Sequence, residues 1–132
     1  MSLNFKISEF LHSQTAKEKG IENIPDVKSL DNLLELIVLC LQPIREKLKR
    51  AVIVTSGYRC KDLNKIIGGS EKSQHCKGQA ADIKVTGMRA EDLADFIANS
   101  GIEYDQLITE YSSWVHISYV KGKNRKMRFS IH

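Results

Sequence analysis

A chain of 132 residues, 42% hydrophobic and 27% charged, is long enough for one domain with a core and too short for two comfortable ones. That balance excludes collagen-like, coiled-coil and disordered classes. The longest apolar run, Leu36–Leu41, is far below the roughly 18–20 residues that cross a bilayer, and Met1–Phe5 lacks the basic-then-apolar build of a signal peptide. The expectation is a chain made in the cytoplasm, not inserted in a membrane and monomeric, which reaches any target outside only if something else releases it.

Cysteines 40, 60 and 76 are odd in number and form no CxxC pair, so a disulfide framework is not expected. The net charge of +4 includes a cluster at Lys121, Lys123, Arg125, Lys126 and Arg128. Such a cluster suits nucleic acid or anionic polymers of a cell wall. Its admixture of Gly122 and Asn124 reads as a solvated hairpin tip, so no specific nucleic acid is expected.

In chain order, Ser8 is a candidate N-cap for a helix carrying Phe10, Leu11 and Ala16, with Gly20 as its stop. A loop, Ile21–Pro25, follows. The clearest helix carries Val27, Leu30, Leu33, Leu34, Ile37, Val38, Leu41, Ile44 and Leu48 at helical spacing, and Cys40 falls within its apolar run. Pro43 lies inside this pattern and should kink or locally break it. From Ala51 the texture changes to short β-branched runs. Ala51–Thr55, Ala81–Val85, Gln106–Thr109, Trp114–Tyr119 and Met127–Ile131 each read as a strand, with Gly122 and Asn124 marking a hairpin between the last two. Between Val85 and Tyr104 a helix is expected, with Thr86 as cap and Ala90, Leu93, Phe96 and Ile97 on one face. Helices first and strands later favour an α+β domain with a mostly antiparallel sheet packed by N-terminal helices.

The chemistry concentrates in Ser73–Asp82 and Trp114-Val115-His116. Two imidazoles and a carboxylate (His75, Asp82, His116) suit a catalytic zinc, which takes three protein ligands and leaves a fourth position for water. Strand alternation puts His116 on the face of Trp114 and opposite Val115 and Ile117. If the strands carrying Asp82 and His116 are neighbours, the two can meet at one ion. Cys76 is a weaker ligand candidate, because neighbouring residues on an extended segment point in opposite directions. Spacing alone leaves a capped loop followed by an amphipathic strand as a competing reading.

The ordered set Ser73-x-His75-x2-Gly78-x-Ala80-x-Asp82 with Trp114-x-His116 resembles the signature of the zinc D-Ala-D-Ala carboxypeptidase family, peptidase family M15. That family also includes phage endolysins that cleave L-Ala–D-Glu bonds. Ser56-Gly57-Tyr58-Arg59 resembles the family's cleft-opening element, and Phe5–Phe10, Ile21–Pro25 and Leu41–Arg45 resemble its phage- and prophage-associated branch. The resemblance implies one zinc peptidase-like domain over 1–132, of hedgehog/DD-peptidase-like fold, acting on peptidoglycan stem peptides. It implies His75, Asp82 and His116 as Zn2+ ligands, and Arg59 as the group that binds substrate and stabilises transition-state charge. Ser73, Tyr58 and Trp114 would contact substrate. Family members carry a general-base glutamate three residues before the last histidine, and here that slot is Ser113. A hydroxyl cannot take a proton from water at neutral pH as a carboxylate can. The nearest acid is Glu110, across Tyr111-Ser112-Ser113, which returns to the metal if those residues form a bend. Glu71 and Asp105 are the alternative bases. An inactive zinc-stabilised binding or tail module, as in hedgehog signalling domains, is the competing function.

Overall fold

The computed structural model describes residues 3–132; Met1 and Ser2, at the head of the N-terminus considered above, lie outside them. The single helix expected after Ser8 is two, α1 (Ile7–Leu11) and α2 (Gln14–Lys19). Ser8 lies within α1, whose first turn is closed by the Lys6 N–H donating to Glu9 at 2.8 Å. Ser13 caps α2, its Oγ accepting from the Ala16 N–H at 3.2 Å, and Gly20 closes it at φ 67° as expected.

The long apolar helix is α3 (Val27–Leu36), a π-helical segment (Ile37–Leu41) and α4 (Gln42–Leu48). Asp26 caps it, accepting from the Ser29 N–H. The disturbance expected at Pro43 takes the form of this widened turn. The Gln42 N–H reaches back to the Ile37 carbonyl, which makes room for a ring that would strike the carbonyl four residues behind it. Leu33, Leu36, Ile37, Cys40, Leu41 and Ile44 are buried, whereas Val27, Leu34 and Val38 of the expected stripe are exposed.

A five-stranded sheet follows: β1 (Ile53–Ser56), β2 (Ala80–Lys84), β3 (Gln106–Glu110), β4 (Trp114–Ser118) and β5 (Met127–Ile131), in spatial order β1-β2-β4-β3-β5. The first four strands pair antiparallel, while β5 lies parallel to β3, so the sheet is mixed. The hairpin expected at Gly122 and Asn124 does not form. Both edges of β4 are already taken, by β2 and β3, so β5 must cross to the free edge of β3. Two short elements escaped the sequence reading: α5 (Lys61–Ile67) and a 3-10 turn (Gln74–Lys77). α5 leaves Ile66 and Ile67 exposed, and so lacks a core stripe to announce it. Helix α6 (Ala90–Ala98) begins after Arg89, not at Thr86, which lies in the preceding turn.

The sheet has two distinct faces. Ala81, Ile83, Leu107, Val115 and Ile117 join Leu33, Leu36, Leu41, Leu93 and Ile97 in one core. The alternate residues, Asp82, Ile108, Glu110, Trp114 and His116, line clefts on the other side.

The crossover before β5 is anchored by one buried carboxylate. Asp105 Oδ1 accepts from the Arg125 backbone N–H at 3.0 Å and from Nε at 2.9 Å; Oδ2 accepts from an Arg125 guanidinium nitrogen and from Gln74 Nε2, both at 2.8 Å. The Arg125 guanidinium, helped by Gln74, overcomes burial and pulls the Asp105 carboxyl down to about 2.

A depressed folded pKa supplies stability that is present above the unfolded value of about 4 and is lost as pH falls through 2. Asp105→Asn should therefore lower stability at neutral pH and flatten the fall between about pH 4 and pH 2. Denaturant melts across that window, compared with wild type, isolate this carboxylate. Gly78 is a second sensitive point: its φ is 71°, and an added Cβ would lie 2.1 Å from the Ser29 carbonyl oxygen. Gly68, at φ 86°, has open space around it. Gly68→Ala should lose about 1–2 kcal/mol from the left-handed backbone alone. Gly78→Ala should lose more than that, because its Cβ also meets the Ser29 carbonyl, and denaturant melts of the two variants at neutral pH give the comparison.

Candidate metal centre

Asp82 and His116 are direct cross-strand partners on β2 and β4, so the sheet's hydrogen-bond register places them side by side. Their neighbours Ala81, Ile83, Val115 and Ile117 are fully buried on the helix side, which fixes the outward face for the two polar residues. His75 comes from the 3-10 turn. Ser73 Oγ accepts from the His75 N–H at 3.2 Å, and Gly78 ends the turn in the left-handed conformation.

The buried His75 ring is oriented from behind: Nδ1–H donates to the Gly57 carbonyl at 2.7 Å. Nε2 is then left with its lone pair facing the sheet. It lies 3.2 Å from His116 Nδ1 and 3.4 Å from Asp82 Oδ1, and the last two atoms are 3.2 Å apart. Four-coordinate zinc, with bonds of about 2.0–2.1 Å and tetrahedral angles, sets neighbouring donors about 3.3–3.4 Å apart. The triangle fits that requirement. A backbone carbonyl on the far nitrogen of a ligating imidazole is the usual support for such a ligand. Burial would raise the Asp82 carboxyl, but contact with His116 and His75 overrides it and holds the group well below the usual carboxylate range. Three donors of this kind could hold one metal ion.

Arg59 stands beside the triangle. A guanidinium nitrogen lies 3.8 Å from Asp82 Oδ2, and the other donates to Asn64 Oδ1 at 3.1 Å. Its Nε is buried with no hydrogen-bond partner among the described residues. The backbone is bracketed by Asn23, whose Nδ2 donates to the Tyr58 carbonyl at 2.8 Å and whose Oδ1 accepts from the Cys60 N–H at 2.8 Å. The Arg59 N–H itself donates to the His75 carbonyl, tying the arginine loop to the histidine turn. Tyr58 lines the same cleft but is largely buried, with 8% exposure.

Tyr111 and Ser112 both have positive φ, 54° and 52°, and the Ser113 N–H donates to the Glu110 carbonyl. This β-turn lies within a three-residue hairpin loop, Tyr111–Ser113, that joins the antiparallel strands. It is the bend that returns Glu110 towards the centre: Glu110 and Trp114 are register partners, and Glu110 Oε2 lies 3.9 Å from His116 Nδ1. Trp114 Nε1 donates to that same Oε2 at 3.1 Å. Ser113 is exposed and its hydroxyl donates to the Tyr111 carbonyl. The other carboxylates are elsewhere engaged. Asp105 is saturated by Arg125 and Gln74, and Glu71 sits in a separate depression with Lys65 and Cys76. Cys76 is therefore away from the metal triangle, though the segment is a 3-10 turn and not extended as expected.

The centre opens into a cleft of about 700 Å³ bordered by Tyr58, Arg59, Ser73, Tyr111 and Trp114. Sequence reasoning missed Asn23, Asn64, the Gly57 carbonyl and Tyr111. Tyr111 is 57% exposed and packs on Trp114 with ring centroids 5.6 Å apart. Gly57 and Asn23 lie in segments that carry the family resemblance, but all four act through backbone or tertiary contacts that spacing does not show.

Residues 3–118 match the family model described as Peptidase M15. No curated protein sequence matches the chain. The match spans α1 through β4 and contains all three donors of the triangle, together with Arg59 and Glu110. The chain belongs to the Peptidase M15 family.

Proposed function

We propose that this protein is a zinc peptidase that hydrolyses peptide bonds in the stem peptides of bacterial peptidoglycan, as a DD-carboxypeptidase or an endopeptidase. The observation that carries the reading is the convergence of His75, Asp82 and His116 with a carboxylate, Glu110, 3.9 Å from the third donor. Zinc bound there supplies an acidified water and polarises a carbonyl.

The chain's own residues do the rest. Glu110 takes a proton from the attacking water and returns it to the leaving amine. Trp114 holds one oxygen of that carboxylate and leaves the other to accept the proton. Arg59, permanently charged and already braced by Asn64, holds the negative charge that develops on the carbonyl oxygen. His75 and Ser73 work as a unit, the hydroxyl fixing the turn that aims the ring. Action on the wall follows release of the protein from the cell that makes it, by lysis or in a virion.

The competing reading, a zinc-stabilised module without catalysis, rested on Ser113 in the glutamate slot. Glu110 weakens it, because a carboxylate reaches the centre from three residues further back.

Glu110→Gln should lower kcat on muropeptides by about 10²–10⁴-fold with zinc content unchanged. Full activity in that variant, measured beside metal analysis, would remove Glu110 from the mechanism. Chelation should abolish release of D-Ala or of the cleaved peptide and lower the melting temperature, and added zinc should restore both. Intact zinc with no hydrolysis across a muropeptide panel would favour the non-catalytic module.

A further inference from the structure

One residue beside the metal centre costs the fold something. Tyr111 adopts φ 54°, and its side chain is 57% exposed. Left-handed backbone crowds the Cβ of any residue but glycine, and an exposed ring recovers little by burial. The turn itself asks nothing of this side chain, because it is pinned through the main chain. The Tyr111 N–H donates to the Ile131 carbonyl at 2.8 Å, and the Ser113 N–H to the Glu110 carbonyl at 3.0 Å. The Ser113 hydroxyl donates to the Tyr111 carbonyl at 3.1 Å. Glycine or asparagine would close the same turn with less strain. Strain of this kind, where the fold does not require it, is characteristic of functional sites.

Tyr111 stands at such a site. Its ring lies against Trp114, with centroids 5.6 Å apart and planes inclined at 51°, so the two rings are not stacked face to face. Both border the cleft of the metal centre. Trp114 in turn holds Glu110 Oε2 through its indole N–H. The aromatic pair thus begins one side chain away from the general base and ends in solvent. Elsewhere the same cleft is bordered by Ser13, Gln14, Thr15 and Thr55, uncharged hydroxyl and amide groups from the start of α2 and from β1. The Ser13 hydroxyl accepts the cap bond from Ala16 and keeps its proton to donate. The Thr55 hydroxyl donates to the Asp82 carbonyl and keeps its lone pairs to accept.

We propose that Tyr111 and Trp114 form a sugar-binding platform, which receives the glycan end of a muropeptide while the stem peptide lies at the metal. The proposal rests on the peptidase reading above and adds a second part of the substrate to it. A sugar ring offers an apolar C–H face and a rim of neutral hydroxyls. The face packs on the electron-rich face of an exposed aromatic ring, and the rim takes hydrogen bonds from uncharged donors and acceptors. This cleft presents both surfaces: rings at one border, hydroxyls and amides at others. An apolar peptide side chain would use the rings and leave the hydroxyls without partners. Because the platform starts next to Glu110, the bond that is cut lies within a few residues of the sugar.

The test uses zinc-loaded protein and two substrates, a disaccharide-linked stem peptide and the same peptide without its sugar. Both kcat/KM and equilibrium binding are measured for each. Wild type should favour the sugar-linked substrate by about ten-fold in both, the scale of one good aromatic contact. Tyr111→Asn, which suits the left-handed backbone, should bring the two substrates to within about two-fold, with the loss in KM. Tyr111→Phe keeps the ring and should keep most of the preference. Since Tyr111→Asn relieves strain as it removes a ring contact, that variant should melt within about 3 °C of wild type.

Equal use of both substrates by wild type leaves the peptidase reading standing and overturns the platform. Ring-dependent preference in binding, without cleavage of either substrate, upholds the platform and overturns the peptidase reading. A preference that survives Tyr111→Asn overturns the platform. So does equally tight binding of a peptide whose disaccharide is replaced by a hexanoyl group, since any apolar surface would then suffice. Loss of the preference together with a fall of about 10 °C or more in the melting temperature of Tyr111→Asn makes the ring a structural one and overturns the platform as well.

Discussion

Everything about this molecule turns on bringing three electron-rich atoms within 3.4 Å of one another. The His75 ring is held from behind by the hydrogen bond that Nδ1 donates to the Gly57 carbonyl, which aims Nε2 at the other two donors. The packed core forces the other two atoms together: Asp82 and His116 are register partners on central strands whose alternate residues are buried. Such an arrangement of two imidazoles and a carboxylate suits a cation at its centre. The fold thus holds three metal-ligating groups together, and metal affinity and folding are linked through the same residues.

Around this point the supports are mostly backbone groups and amides. Asn23 brackets Arg59 from both sides, Asn64 holds its guanidinium, and the Arg59 N–H ties it to the histidine turn. Close packing tightens the frame: a Cβ on Gly57 would meet the Phe10 carbonyl oxygen at 2.5 Å, and one on Gly69 would meet Asn64 Oδ1 at 2.1 Å. The arginine is positioned by contacts that leave its charge facing the cleft.

The sequence carried the strands and the donors well, because both have local signatures. Period-two alternation around Asp82 and His116 marks which side of each strand is polar, and the spacing around His75 needs glycine and small residues to turn. The π-helical segment before Pro43 was legible as a disturbance, but the exposure of Val27, Leu34 and Val38 was not. The hairpin reading at Gly122 failed for a non-local reason, since whether β4 has a free edge depends on β2 and β3. α5 and the Asn23 bracket left no periodic trace. The Tyr111–Ser112 turn was hard to foresee because two residues without glycine or asparagine adopt positive φ there.

That turn has a consequence for how the chain can vary. Its two central residues set the register of β3 against β4, in which Trp114 and the metal donor His116 face the cleft while Val115 and Ile117 lie in the core. A deletion or insertion of one residue would present Val115 or Ile117 to the cleft and drive the imidazole into the hydrocarbon interior. Side chains at 111 and 112 can therefore diverge freely while the number of residues between Glu110 and Ser113 cannot. Among relatives, the length of this turn should be far more constant than its composition. An aromatic at 111 is then a choice made for the cleft and not for the fold.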